Sequence, residues 1–334
     1  MSFPVEISST HRQGCHKASL CGLEGMGRHR MQEADNPDTA NPSPLTMFNE
    51  HRSLLFSIAY RMLGTVADAE DIVQDAFIRW QQASHDEIRS PKAFLVTIVS
   101  RLCINHLQTA RVQREEYVGQ WLPEPIVTDP ASDPESALWT DESLSMAFLV
   151  LLERLTPIER AVFLLREVFD FDYAEISAAL GRSEANCRQI LRRAKEHVRA
   201  ARPRFRASVR EQSDLLPRFV QATTKGDLDE LVALLASDVV LHTDGGGKAR
   251  ALPNLIHGAT SVARAIIGGM RKFAPQDYVL RLLEINGEPG FVSYANGQSA
   301  SALVLEADDD HIQAIYVITN PAKLAHLPAA PSWT

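Results

Sequence analysis

Four cations at helical spacing offer the first chemistry in this chain. Arg188, Arg192, Lys195 and Arg199 are spaced four, three and four, which sets them on one face of a helix. On that face they could grip a row of phosphates. The opposite face would carry Cys187, Ile190, Leu191, Ala194 and Val198, at the spacing of a core stripe. The bland reading is a solvated basic face. Local charge argues against it: ten Lys or Arg and two acids lie between Arg182 and Arg210, in a chain of formal net charge −8. A local basic surplus on an acidic chain is the footprint of a DNA reader, and it excludes polyanion binding by the molecule as a whole.

Other residue sets could do different chemistry. His242, Asp244, His257 and Asp277 include types able to abstract a proton from an apolar cavity. Asp244 and His242 would equally serve to shape a turn after a strand, and we assign no catalytic residue. Cys15, His16, Cys21 and His29 match no zinc spacing, so no metal and no cofactor are expected. Gly245, Gly246 and Gly247 lack the strand–loop–helix context of a phosphate loop.

The basic stripe needs a scaffold, and its surroundings supply one. Tyr173 to Leu180 reads as a short helix with Ile176, Ala179 and Leu180 inward. Gly181 follows where a left-handed helix end belongs, and Ser183 stands at the N-cap of a second helix opening at Glu184. This is a helix-turn-helix whose second helix would enter a major groove. Ser183, Glu184, Asn186, Arg188, Gln189, Arg192, Arg193, Lys195 and Arg199 are its candidate DNA-facing residues.

Earlier in the chain three helices are expected. Leu54, Leu55, Ile58, Ala59, Met62 and Leu63 form the stripe of the first, ended by Gly64. The second, VADAEDIVQDAFIRW, turns Ala69, Ile72, Val73, Ala76, Phe77 and Trp80 inward. Its outer face carries Asp68, Glu70, Asp71, Gln74 and Asp75. Acids in a first turn suit the helix dipole, and a set this dense also suits a basic partner. The third helix opens at Ser90-Pro91, an N-cap with Pro at the first helical position. It can present Lys92, Arg101, Asn105 and His106.

The chain divides at changes of composition. Residues 1–44 lack periodicity and read as a disordered tail, with Met31 or Met47 as alternative starts. Residues 45–112 form the first helical domain. Residues 113–143 are an acidic linker, expected to repel itself and extend. Within it Trp121, Leu122, Pro123, Glu124 and Pro125 place an apolar pair that needs something to dock against. Residues 144–206 form a second helical domain, with Thr156 and Glu159 as a capping box. Residues 211–327 begin with another expected box, Asp227 with Glu230, and continue as strand 238–243, a helix and four alternating strands. Helices first and an antiparallel meander last make an α+β domain with a curved sheet. The four cysteines are far apart, which suits a reducing cytoplasm. No apolar run approaches a membrane span.

Two helical domains, one with an acidic second helix and one ending in a helix-turn-helix, resemble regions two and four of the extracytoplasmic-function sigma factors of bacterial RNA polymerase. DAEDIVQDAFIRW resembles their polymerase-docking helix, SPKAFLVTIVSRLCINHL the helix that reads the minus-ten element, and GRSEANCRQILRRAKEHV the recognition helix for the minus-thirty-five element. The last 120 or so residues resemble the SnoaL-like domain, a cone-shaped fold shared with ketosteroid isomerases and polyketide cyclases. One sigma subgroup joins that domain to WLPEP, DGGGK and NPDKL motifs. Here these stand as Trp121 to Pro125, Asp244-Gly245-Gly246-Gly247-Lys248 and Asn320-Pro321-Ala322-Lys323-Leu324, with Ala322 replacing the usual Asp.

The resemblance implies a multidomain protein: two all-α sigma domains followed by an α+β SnoaL-like domain. Its partners would be core RNA polymerase, at Asp68, Glu70, Asp71, Gln74 and Asp75, and promoter DNA. It implies no membrane, no separate anti-sigma factor, and regulation in cis through the three motifs. The regulatory contact is expected to bury Trp121 in a groove and to set Lys248 against Glu124. Two alternatives stay open: a dimeric helix-turn-helix regulator, and a cyclase or isomerase fused to a DNA-binding module.

Overall fold

The computed structural model describes residues 5–6, 43–115, 117–128, 144–201, 209–273, 278–308 and 310–328. The expected disordered tail falls almost wholly outside them, as do Cys15, His16, Cys21, His29 and Asp277. The exceptions are Val5–Glu6, forming a short strand, β1, in the sheet described below, and Ser43 and Pro44, which open the first helix.

Three helices build the first unit: α1 (Pro44–Leu63), α2 (Val66–Gln81) and α3 (Pro91–Glu115). The Ser43 hydroxyl accepts the Thr46 amide at the start of α1, and Gly64 ends it at φ 76°. The helix α3 runs three residues beyond the expected boundary. Leu55, Ile58, Met62, Val73, Ala76, Leu95 and Val99 form the core between them. The Trp80 indole crosses it and donates to the Pro44 carbonyl at 2.6 Å.

The second unit is α4 (Met146–Leu152), α5 (Pro157–Phe163), a π-turn over Leu164–Val168, α6 (Tyr173–Leu180) and α7 (Glu184–Ala201). The boxes Thr156–Glu159 and Asp172–Glu175 open α5 and α6, with both reciprocal bonds made. Gly181 ends α6 at φ 64°, and the Ser183 hydroxyl caps α7 through the Asn186 amide at 3.3 Å. One apolar cluster runs through both helical units without a break.

The third unit holds α8 (Val209–Lys225), α9 (Leu228–Leu234), β3 (Leu235–Asp244), β4 (Ile256–His257), α10 (Ala259–Phe273), β5 (Val279–Ile285), β6 (Glu288–Ala295), β7 (Gln298–Ala307), β8 (Ile312–Ile318) and α11 (Pro321–Leu324). Asp227 caps α9 through the Glu230 amide. The expected return bond is replaced, because the Asp227 amide donates to the Ala222 carbonyl at 2.9 Å. The sheet runs β1-β5-β6-β7-β8-β3-β4. The strands β5 to β8 form the antiparallel meander, and β3 joins β8 in parallel. Along β7 and β8, Leu303, Leu305 and Ile315 face α8, α9 and α10, while Ala302, Val304, Ala314, Tyr316 and Ile318 face the other way. Alternation along these stretches therefore yields two apolar faces. The second face is covered by Leu122, Met146, Leu324 and Leu327.

The linker departs from its expected behaviour. Residues 117–128 pack down instead of extending, and Val127–Thr128 form a strand, β2, antiparallel to β5. Leu122, Pro123, Glu124 and Pro125 are all buried. Their apolar and hydrogen-bonding partners outweigh the self-repulsion of a mostly acidic segment.

Candidate nucleic-acid interface and interdomain junction

Two helices carry the predicted DNA-facing residues. On α7 the apolar stripe Cys187, Ile190, Leu191, Ala194 and Val198 is buried, while Ser183, Asn186, Arg188, Gln189, Arg192, Arg193 and Arg199 are exposed. Arg188 is steadied by Glu184 at 2.7 Å and by the Tyr173 ring at 4.7 Å. Lys195 is half-buried and pairs with Glu167 at 2.7 Å. Exposed pairs of this kind contribute at most about 1 kcal/mol and give way readily to a phosphate. Of the four candidates on α3, Asn105 stands exposed. The Arg101 guanidinium and the Lys92 ammonium both meet the second helical unit. His106 lies 3.7 Å from Asp68.

The acidic face of α2 divides in two. Asp71, Gln74 and Asp75 are exposed. Glu70 pairs with Arg52 at 2.8 Å, and Asp68 accepts from the Thr65 hydroxyl. Alongside lies a groove of about 330 Å³, lined by Leu45, Phe48, Arg52, Val73 and Phe77.

The three sequence motifs meet at one buried carboxylate. Asp244, at the end of β3, is fully buried. Its Oδ1 accepts from the Tyr117 hydroxyl at 2.6 Å and the Gly246 amide at 3.0 Å. Its Oδ2 accepts from the Leu122 amide at 2.9 Å and pairs with Lys323 Nζ at 2.7 Å. Lys323, on α11, also donates to the Leu122 carbonyl and lies 4.1 Å from the centre of the Trp121 ring. Asn320 donates to the Tyr117 hydroxyl at 2.9 Å and caps α11 through the Ala322 amide. Any Cβ on Gly246 would overlap the Asn320 amide, and this residue stands at φ 57°. Four donors around one carboxylate are what makes its burial tolerable.

The expected partner of Glu124 is corrected here. Lys248 is exposed, because its amide closes a turn onto the Gly245 carbonyl and its side chain leaves the junction. Glu124 instead pairs with His326 Nδ1 at 2.6 Å and accepts the Val66 amide at 2.6 Å. It thereby caps α2, whose own N-cap residue Thr65 makes no side-chain cap bond. The Glu124 amide donates to the Gly64 carbonyl at 2.8 Å. Gly64 is forced twice, by its positive φ and because a Cβ would overlap the Trp121 ring. Trp121 itself is only half-buried, and Leu122 is the residue sunk deepest.

His326 Nε2 lies 2.8 Å from the Pro125 carbonyl. Burial alone would lower the His326 pKa, but the Glu124 bond and charge, with the Pro125 carbonyl, hold it above the ordinary value. Both ring nitrogens face acceptors, which fits an imidazolium.

Several junction residues were not singled out by sequence. The Tyr60 hydroxyl donates to the Glu124 carbonyl at 2.6 Å and accepts from Asn286 Nδ2 at 2.8 Å. Burial pushes the Tyr60 pKa far up. Asn286 also trades bonds with Ile126, accepting its amide at 3.0 Å and donating its own backbone amide to its carbonyl at 2.8 Å. The signal for Asn286 was an Asn-Gly pair between two strands, the mark of a tight hairpin. Asn286 sits there at φ 55°.

Of the proton-abstracting candidates, Asp244 is committed to the junction. His242 stacks on Tyr316 at 4.9 Å between ring centres. Burial first, then His257 and Arg154, lower its pKa to about 4. It is therefore a neutral imidazole at ordinary pH, and His257 is exposed. Among the described residues no group of three or more His, Cys, Asp or Glu could hold a metal, and no helix is long and apolar enough to cross a membrane.

Known proteins account for this arrangement. The family model for sigma-70 region 2 matches residues 47–112, and that for sigma-70 region 4 matches residues 145–198. A curated relative, the extracytoplasmic-function RNA polymerase sigma factor SigJ of Mycobacterium tuberculosis, is 37% identical over 293 residues, covering 84% of this chain and 93% of the relative. A probable sigma factor of the same organism, SigI, is 30% identical over 281 residues, covering 84% and 94%. The crystal structure of Mycobacterium tuberculosis SigJ superposes with a TM-score of 0.70 at 35% identity, covering 86% of this chain and all of that one. The two helical units are thus sigma regions two and four, and an α+β domain follows them. The chain belongs to the extracytoplasmic-function sigma factors, the initiation factors that direct RNA polymerase to promoters.

Proposed function

We propose that this sigma factor is regulated in cis, with the SnoaL-like domain holding the linker and, through it, the spacing of regions two and four. The observation that carries the reading is the junction at Asp244, where one carboxylate binds the linker at Tyr117 and Leu122 and the helix α11 at Lys323. Regions two and four must address two promoter elements together. A clamp on the segment between them therefore decides whether both are within reach. A fused domain also acts at high effective concentration, so no separate anti-sigma factor is needed.

In this reading α2 meets core polymerase through Asp71, Gln74 and Asp75, with Asp68 and Glu70 released from their internal partners. The helix α3 meets the minus-ten element, and α7 reads the minus-thirty-five element. Arg188 and Gln189, near the start of α7, face base edges, while Lys195 and Arg199 face phosphates. The protein works in the cytoplasm. It is not an enzyme: the carboxylate that would serve a cyclase or isomerase is held by four donors, and a function must rest on a site rather than on a fold.

Transcription by core polymerase tests the proposal, comparing the full-length chain with Lys323→Ala and with a chain ending near Arg210. Altered promoter output in both variants supports it. Identical output from all three chains refutes cis control through this junction.

A further inference from the structure

Regions two and four also touch each other directly, and the contact is reciprocal. Each lends an arginine to the C-terminal end of the other's helix. The last carbonyls of a helix have no intrahelical amide to accept, and that end carries partial negative charge. Arg101 of α3 reaches the end of α6, with Nε 2.8 Å from the Ala179 carbonyl and an Nη 3.4 Å from that of Ala178. In return Arg160 of α5, 3% exposed, donates to the Met62 carbonyl in the last turn of α1 at 2.6 Å. Glu153 holds the same Arg160 nitrogen at 2.8 Å. Lys92, the second residue of α3, stands 4.8 Å from the centre of the Phe171 ring, just ahead of α6. The apolar core beneath is continuous across both regions.

A guanidinium is satisfied by two carbonyls at a helix end much as it is by a phosphate or a base edge. We propose that α3 has two mutually exclusive occupants, the C-terminal end of α6 in the free chain and promoter DNA in the transcribing complex, with Arg101 the group that changes partner. The inference rests on the assignment of α3 to the minus-ten element made above. Its consequence is an order of events. The basic face of α7 points to solvent in the closed form, so region four can meet DNA while Arg101 is still covered. Region two engages only after α6 has let go. Arg160 is the second latch, on the far side of the same contact.

The test sets a photo-crosslinking p-benzoylphenylalanine in place of Ala178, an exposed position outside both DNA-facing sets. In the free full-length chain it crosslinks to α3. Saturation with core polymerase and a promoter duplex lowers that yield roughly tenfold or more, as a two-state exchange of partners requires. An undiminished yield in the promoter complex overturns the exclusion. Absence of any α3 crosslink in the free chain overturns the contact. A second arm uses Asn105→Ala, an exposed position on α3. Lost minus-ten protection in that variant, with a crosslink that DNA abolishes, supports the full account. Lost protection with a crosslink that persists in the promoter complex sinks the exclusion alone. Unchanged protection removes the assignment of α3 on which it stands.

Discussion

The inner face of the C-terminal sheet is covered by α8, α9 and α10 of its own domain, whereas its outer face is covered by the linker, by α4 of region four and by the domain's short α11. The inner closure is built mainly from apolar side chains such as Phe219, Leu231, Leu303 and Ile315. The outer closure mixes Leu122, Met146 and Tyr316 with buried Asp244, Lys323, Glu124 and Asn286. An apolar face holds whatever covers it, in any register. A face with buried charges accepts only the partner that satisfies them. The inner face therefore makes a domain, and the outer face makes a selective, separable contact.

Substitutions on the two faces should fail differently. Lys323→Ala leaves Asp244 as an unpaired buried charge, which costs about 3–5 kcal/mol. We expect it to release the linker, seen as proteolytic cutting within residues 117–128, while the sheet keeps its own unfolding transition in urea. Phe219→Ala on the inner face costs a similar amount, about 3–5 kcal/mol, but lowers the urea midpoint of the C-terminal domain itself. If both variants lose the same transition, the two faces are not separable. Replacing Asp244 and Lys323 together with apolar residues of similar volume should recover much of the loss.

Leu122→Ala sharpens the contrast, because it removes apolar burial without disturbing the ion pair. It should cost about 2–5 kcal/mol of linker docking, measured by the same proteolysis. Retained protection would put the whole contact on the charges.

How much of this was legible in the sequence follows from the same physics. The helix-turn-helix could be read because Gly181 and Ser183 act within a few residues of themselves. The stripe on α7 could be read because burial follows the helical period. The junction motifs are visible as motifs, yet sequence alone points to Lys248 as the partner of Glu124. Glycine turns point it outward, and Glu124 pairs with His326 instead, more than 200 positions along the chain. Tyr60 was hidden inside an apolar stripe, where a hydroxyl looks no different from packing. Its partners Glu124 and Asn286 lie 64 and 226 residues away, and no local pattern encodes such distances. The docked linker was misread as extended because composition reports its charge and not its partners.

A smaller effect is expected from pH. The folded pKa of His326 lies above the ordinary value of 6.5. Its contribution is thus fully present below the unfolded pKa and is lost as pH rises through the folded one. Linker protection should weaken on going from mildly acidic to alkaline buffer, and His326→Gln should flatten the profile. A parent profile already flat between those limits would show that the imidazolium does not hold Glu124. The smallest effect belongs to Lys248→Glu, an exposed position where stability should move by no more than about 0.5 kcal/mol. A large loss there would reinstate Lys248 as a junction residue.

Hydrogen exchange at residues 117–128 tests the central claim most directly, in the full-length chain and in Lys323→Ala. The account predicts slow exchange at the Leu122 and Ile126 amides in the parent, because Asp244 and Asn286 accept them. In Lys323→Ala the segment should exchange rapidly, with β5 to β8 still protected. Equal exchange of the segment in both chains would contradict the claim that the C-terminal domain clamps the linker through this junction.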